Sequence, residues 1–558
     1  MPFFPLLLVL AGLTLFLSRR RYKAIEAAGD GSPRSPHVVV KGHTYSDSVD
    51  GIELRPLPST KIENVRSACI IGAGHVGALT AIILASQNPH VQFCVVDRDA
   101  SLIEAWKSDR PPVLEPGLED LLFDDPPGFA MEASSLPEEA KVNDSSQSQS
   151  VERTRRHRKL ANLAFSTNIH AGVVSADLVF LCVECYPDAS SETREGINLA
   201  PLEAAIQAIA QVSTGHKIIV QRSTAPCGIV QRIKKALRKT ASPTATFDVL
   251  SNPDFLIPGT AIRDLLYPPR VLIGHIFSED MSVEAITALK RLYLPWVPEE
   301  RLITMDAWSA ELGKIAAHAC LAQQISNVQS LSAICESTNA NIAHITQTLG
   351  LPPQVGLELG GGGAANSHAH TEIRCLIYLA RELGLHPVAE YWRAVLQMHE
   401  FYRRRTAKRV TERFTGALKD HRVAILGCAG RKDCTVRDRA STAVGLARDL
   451  VGIGVQVTVY DPRIPGDQLR STLRLADASL EAVTVVDSVD AACQGCSALI
   501  LLTEYDEFSH EQVRWQGVAG QMLGPKVFLD LCGVLDRFKM QQWGFDMLQL
   551  GVRQKDAH

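Results

Sequence analysis

Hydrophobic and polar positions along the chain alternate between short apolar runs and longer helical patterns. The first sixteen residues after Met1, 2–17, are almost wholly apolar and lead into Ser18-Arg19-Arg20-Arg21. As a helix this run spans about 24 Å, slightly short of a ~30 Å hydrocarbon core, and snorkelling arginines close such a gap. The basic cluster after the apolar run predicts an anchor over 1–21 with the main body cytosolic. A non-inserted tail on a cytoplasmic protein and a secretory signal remain the alternatives. Residues 22–64 are polar, with breakers concentrated at 29–36, and read as a flexible tether.

Beyond the tether, buried-strand runs at 68–71 and 91–96 flank a helical pattern at 78–87. Further strand-like runs lie at 422–426, 455–460, 498–502 and 527–530, so the second half repeats a βα-type series. Between Asp124 and Arg158 the apolar period disappears and Pro, Ser, Glu and Gln dominate, which predicts a disordered insertion. This alternation of strand and helix runs predicts an α/β fold.

Composition changes this picture little. The 558 residues are 46% hydrophobic and 21% charged, ordinary globular values, and the net charge of −4 gives no basic excess for nucleic acid. Thirteen irregularly spaced cysteines read as reduced thiols rather than a disulfide framework. Cys182-x-x-Cys185 and Cys493-x-x-Cys496 lack a second ligand pair at zinc spacing, so no metal is expected.

The first apolar strand runs into Gly72-Ala73-Gly74-His75-Val76-Gly77, and Asp97 closes the next strand. Gly72 allows a tight turn, Gly74 lets a pyrophosphate approach the backbone, and Gly77 lets helix and strand pack closely. The helix N-terminus offers free N–H groups to phosphates. Asp97 suits the two ribose hydroxyls of NAD.

From about Arg66 to Leu550 the chain resembles the UDP-glucose dehydrogenase family of nucleotide-sugar dehydrogenases. The resemblance rests on an ordered series: Ala105-Trp106-x-Ser108-Asp109, Leu114-Glu115-Pro116-Gly117-Leu118, Ser223-Thr224-Ala225-Pro226, Asn252-Pro253-Asp254-Phe255-Leu256 with Gly259, and Trp308 to Lys314. It implies two Rossmann-like doubly wound parallel-sheet domains joined by a long central helix: an NAD-binding domain over 65–300 and a UDP-sugar-binding domain over 406–550, with a central helical dimerisation region over 301–405 between them. It also implies a homo-oligomer, or a hetero-oligomer with a relative, and a UDP-glucose-like substrate oxidised at the sugar C6 alcohol.

Carried over residue by residue, the resemblance places Ser223, Thr224 and Arg437 beside NAD. It places Asn252, Asp254, Phe255, Leu256, Lys314, His318, Gly361, Gly362 and Arg431 beside the sugar nucleotide. Lys314 matches the family's electrostatic lysine and Thr224 its threonine. Asp254 stands for a glutamate, one methylene shorter, and His318 for an asparagine. Counting back from the helical pattern at 372–385 puts Glu372 on the family's aspartate and His368 on its nucleophilic cysteine. No cysteine occurs from 336 to 374. Cys375 falls seven residues late, inside a helix. Two outcomes follow: a dehydrogenase with an altered mechanism, or an inactive NAD-binding paralogue partnering an active enzyme.

Overall fold

The computed structural model describes residues 64–124, 158–183, 185–187, 197–277, 283–350, 365–429 and 442–553. All of these lie in one compact unit that begins at Thr60. The expected anchor and tether, the bulk of the 124–158 insertion, Gly361, Gly362, Arg431 and Arg437 fall outside the described residues. Among the described residues no helix is long and apolar enough to cross a membrane.

The first domain is built on an eight-stranded sheet. Its strands are β1 (Ser67–Ile71), β2 (Gln92–Val96), β3 (Leu163–Ser166), β4 (Leu178–Leu181), β7 (His216–Gln221), β8 (Thr246–Ser251), β9 (Val271–His275) and β10 (Leu302–Asp306), with a small antiparallel ribbon of β5 (Tyr186–Pro187) and β6 (Ile197–Asn198) apart from it. The order β10-β9-β8-β7-β4-β1-β2-β3 places the topological switch between β1 and β4. Six strands are parallel. β9 pairs antiparallel with β8 and carries β10 with it, a reversal that strand periodicity does not reveal. This sheet ends at Asp306, past the expected boundary at 300.

Alternation within β1 explains why the run looks continuously apolar. Ala68 and Ile70 enter the core on one face, while Cys69 and Ile71 enter the core on the other. The second sheet repeats the arrangement with β11 (Arg422–Leu426), β12 (Gln456–Tyr460), β13 (Thr484–Val485), β14 (Ala498–Leu501), β15 (Val527–Asp530) and β16 (Asp546–Leu548). All six are parallel, in the order β13-β12-β11-β14-β15-β16. Val423 and Ile425 face one core, and Ala424 and Leu426 the other.

Helix α1 (His75–Gln87) follows β1, and α2 (Ile229–Thr240) follows β7. The sheets are connected through α3 (Ala307–Ser337), α4 (Ala365–Glu382) and α5 (His386–Thr411). Asp306 caps α3 by accepting from Ser309 N–H at 2.9 Å. Close approach of α3 to the sheet needs Gly274, because a Cβ there would stand 2.7 Å from the Ala310 Cβ. Helix α4 begins at Ala365, so the backbone at His368, expected in the turn before the helix, is already helical.

The far end of α3 ties the second domain in place. Glu336, buried, pairs with Arg405 at 2.6 Å and Arg409 at 2.5 Å, and accepts the Gly551 N–H at 2.9 Å. One carboxylate thus joins α3, α5 and the C-terminal segment. We expect Glu336→Ala to cost about 3 kcal/mol or more, because it strands two partly buried arginines and a backbone donor. Denaturant unfolding monitored by circular dichroism measures the loss.

Candidate functional site

The glycine turn fits a dinucleotide. Gly72 has φ +111°, and a Cβ on it would lie 2.3 Å from the Cys182 carbonyl oxygen. A Cβ on Gly77 would lie 2.0 Å from the Gly72 carbonyl oxygen, so turn and helix touch backbone to backbone. No side chain caps α1 and no acid occupies its first turn, which leaves positive potential for a pyrophosphate. Asp97 is fixed at the end of β2, where Oδ2 accepts from Ala73 N–H at 2.8 Å and Oδ1 from Asp99 N–H at 3.0 Å. Val76 packs partly buried against the core.

His75 is held by Glu115, whose Oε1 lies 2.6 Å from Nε2. The same buried carboxylate accepts from Gly259 N–H at 2.8 Å and Ala261 N–H at 3.2 Å. It therefore links the glycine turn to the 252–261 loop. Sequence spacing alone does not disclose that link, since the partners are some 40 and 144 residues apart.

A second cluster assembles on the 222–225 turn, the 252–256 loop and α3. Lys314 Nζ lies 2.8 Å from Thr224 Oγ1 and 2.7 Å from Asp254 Oδ1, with both charged side chains under a tenth exposed. The shorter aspartate still reaches the lysine. Two of the three ammonium donors are committed, and the third is available to an oxygen that develops negative charge. Three residues brought together only by the resemblance are thus in direct contact.

Other expected contacts are arranged differently. Asn252 is fully buried: Oδ1 accepts from Arg222 at 2.7 Å and from the Tyr293 hydroxyl at 2.6 Å, and Nδ2 donates to the Leu272 carbonyl at 2.9 Å. Its side chain is a strut under the loop, with its amide committed inside the protein. Leu256 belongs to the core. Ser223 Oγ donates to the Leu181 carbonyl at 3.1 Å. Phe255 is partly exposed, with the Arg270 guanidinium 4.5 Å above its ring and the His318 ring edge-on at 6.3 Å. His318 Nδ1 lies 2.6 Å from Glu372 Oε2, a pair on α3 and α4.

The thiols near this cluster are held protonated. Burial raises Cys182 to about 12, moderated by Arg222 and Lys314. Burial raises Cys375 further, with Glu372 adding to the rise and Lys314 opposing it. A neutral thiol in the interior is a poor nucleophile. Glu311, one turn before Lys314, accepts from Gly228 N–H at 2.5 Å and Val230 N–H at 3.1 Å at the start of α2. Burial pushes its carboxyl up to about 7 against those bonds.

Two predictions follow from this geometry. Between pH 4.5 and 7 the folded Glu311 holds a proton that the unfolded chain has released, so its contribution to stability falls as pH rises through that window. Glu311→Gln removes this slope, as read from unfolding free energy against pH. Gly72→Ala forces a Cβ into a backbone carbonyl at a positive φ, and calorimetric titration should show NAD affinity falling more than about tenfold, near 1.4 kcal/mol.

Comparison with known proteins agrees with this geometry. Profiles described as UDP-glucose/GDP-mannose dehydrogenase family match in three parts: the NAD binding domain over 66–143 and 140–297, the central domain over 308–400, and the UDP binding domain over 424–537. UDP-glucose 6-dehydrogenase of Gallus gallus is 33% identical over 500 residues, covering 88% of this chain and 94% of its own length. UDP-glucose 6-dehydrogenase of Drosophila melanogaster is 32% identical over 495 residues, covering 87% and 96%. A UDP-glucose dehydrogenase structure from Pyrobaculum islandicum shares the fold, with a TM-score of 0.65 at 22% identity over 88% of this chain and 100% of that one. With the family's NAD binding, central and UDP binding domains matched in order along its length, this chain belongs to the UDP-glucose/GDP-mannose dehydrogenase family.

Proposed function

We propose that the chain oxidises the sugar C6 alcohol of UDP-glucose or a closely related nucleotide sugar, by a mechanism that does without the family's nucleophilic cysteine. The observation that carries this reading is the Lys314 ammonium, held between Thr224 and Asp254 where the family keeps its electrostatic lysine. The relatives named UDP-glucose 6-dehydrogenase support the substrate class.

NAD, when bound, supplies the hydride acceptor. The chain's own residues do the rest. The Gly72–Gly77 turn and α1 hold the pyrophosphate, and Asp97 takes the ribose. Lys314 stabilises the C6 oxygen as it becomes an alkoxide and then an aldehyde oxygen. Asp254 aims the lysine through their ion pair, and Thr224 fixes it from the other side. Phe255 and Arg270 form one wall beside the sugar. The substrate roles of Gly361, Gly362 and Arg431, and the cofactor role of Arg437, belong to this proposal from the resemblance alone, as does the position of His368 at the cysteine site.

Incubation of the purified full chain with UDP-glucose and NAD tests the reading through absorbance at the NADH band. The expected result is NADH formation that depends on the sugar nucleotide. Lys314→Met lowers turnover on the order of 10²–10³-fold, the usual effect of removing one oxyanion-stabilising donor. Absence of NADH with UDP-glucose and with other UDP-, GDP- and ADP-sugars, combined with assembly onto an active relative, would establish the non-catalytic partner instead.

A further inference from the structure

The Lys314 cluster does not use the His318–Glu372 pair beside it. Glu372 is 1% exposed and lies 2.6 Å from His318 Nδ1. In the tautomer with its N–H at Nδ1, the ring donates to this carboxylate and turns the Nε2 lone pair outward. The His318 side chain is 23% exposed, and among the described residues Nε2 has no hydrogen-bond partner. His318 follows Lys314 by four residues on α3, so both project from one helix face. Its ring stands against Phe255, the neighbour of Asp254 in the loop. A histidine oriented by a buried carboxylate, four residues along the same helix from an oxyanion-stabilising lysine, has the parts of a general base.

Resting on the dehydrogenase reading above, we infer that the His318–Glu372 dyad adds water to the C6 aldehyde, so that the second oxidation proceeds from a hydrate rather than from a sulfur adduct. Water gives a proton to Nε2 as its oxygen bonds to C6. The carbonyl π pair moves onto the aldehyde oxygen beside Lys314, and that oxygen then takes the proton. Aldehyde plus water becomes a geminal diol with nothing left over. Loss of hydride from C6 to NAD and of protons from oxygen gives the carboxylate. Overall, alcohol, water and two NAD yield carboxylate, two NADH and three protons. The chemistry requires an aimed base and an electrostatic site for the oxygen, and both are present without a thiolate.

Oxygen exchange isolates the hydration step from oxidation. The 6-aldehyde of UDP-glucose is incubated with the full chain in ¹⁸O-water without NAD, and label at C6 is followed by mass spectrometry. The wild type accelerates exchange over buffer, and His318→Asn loses that acceleration by roughly 10²-fold, the lower range for a general base. Glu372→Gln, which keeps side-chain volume, shows the same loss in smaller measure. With UDP-glucose and excess NAD, the wild type yields two NADH per sugar even after iodoacetamide treatment. His318→Asn moves toward one, with aldehyde captured by hydroxylamine. Wild-type exchange at the buffer rate, or undiminished exchange in both variants, overturns the dyad while leaving the dehydrogenase reading intact. No NADH from the wild type with either alcohol or aldehyde overturns both.

Discussion

A buried ammonium governs this fold's candidate chemistry. Lys314 is on a 31-residue helix that begins where the first sheet ends, and its nitrogen meets a hydroxyl from the turn after β7 and a carboxylate from the loop after β8. Desolvating an ammonium costs several kcal/mol unless a charge partner and hydrogen bonds repay it. The requirement runs in both directions. The lysine needs Asp254 and Thr224 in place, and those two loops are pinned by the lysine they hold. Gly274 beneath α3 and the Arg222–Asn252–Tyr293 network beneath the loop make that meeting geometrically possible.

The glycine turn and the 252–261 loop are likewise one mechanical unit. Glu115 accepts hydrogen bonds from the 252–261 loop and holds His75 at the first residue of α1. A buried carboxylate with three partners resists displacement, since any shift leaves a donor or charge unpaired. The glycine turn and the 252–261 loop are therefore held in register by the protein itself. Preorganisation of this kind moves the ordering cost from the reaction to folding.

Much of the architecture was readable from the chain. Strands with doubly buried faces, such as 68–71 and 423–426, announce themselves as unbroken apolar runs, and the structure puts β1 and β11 there. The reversal of β9 was not readable, because parallel and antiparallel strands buried on both faces carry the same pattern. The central helix was recognised at Trp308–Lys314, yet not its length or its clasp at Glu336, where the partners come from α5 and the last strand's exit. At the site, the Lys314–Thr224–Asp254 contact followed from resemblance. Asn252 looked like a ligand-binding residue in the motif, but burial has spent its amide on Arg222, Tyr293 and Leu272. The His318–Glu372 bond joins residues 54 apart, and only packing of α4 on α3 reveals it.

The central claim is that Lys314 and Asp254 act as a single device rather than as two independent contacts. A double-mutant cycle on kcat/KM for NAD-dependent oxidation of UDP-glucose, using Lys314→Met, Asp254→Asn and the double variant, measures it directly. The account predicts strong non-additivity, with a coupling of at least about 1 kcal/mol and a double variant little worse than Lys314→Met alone. Losses that simply add would contradict it.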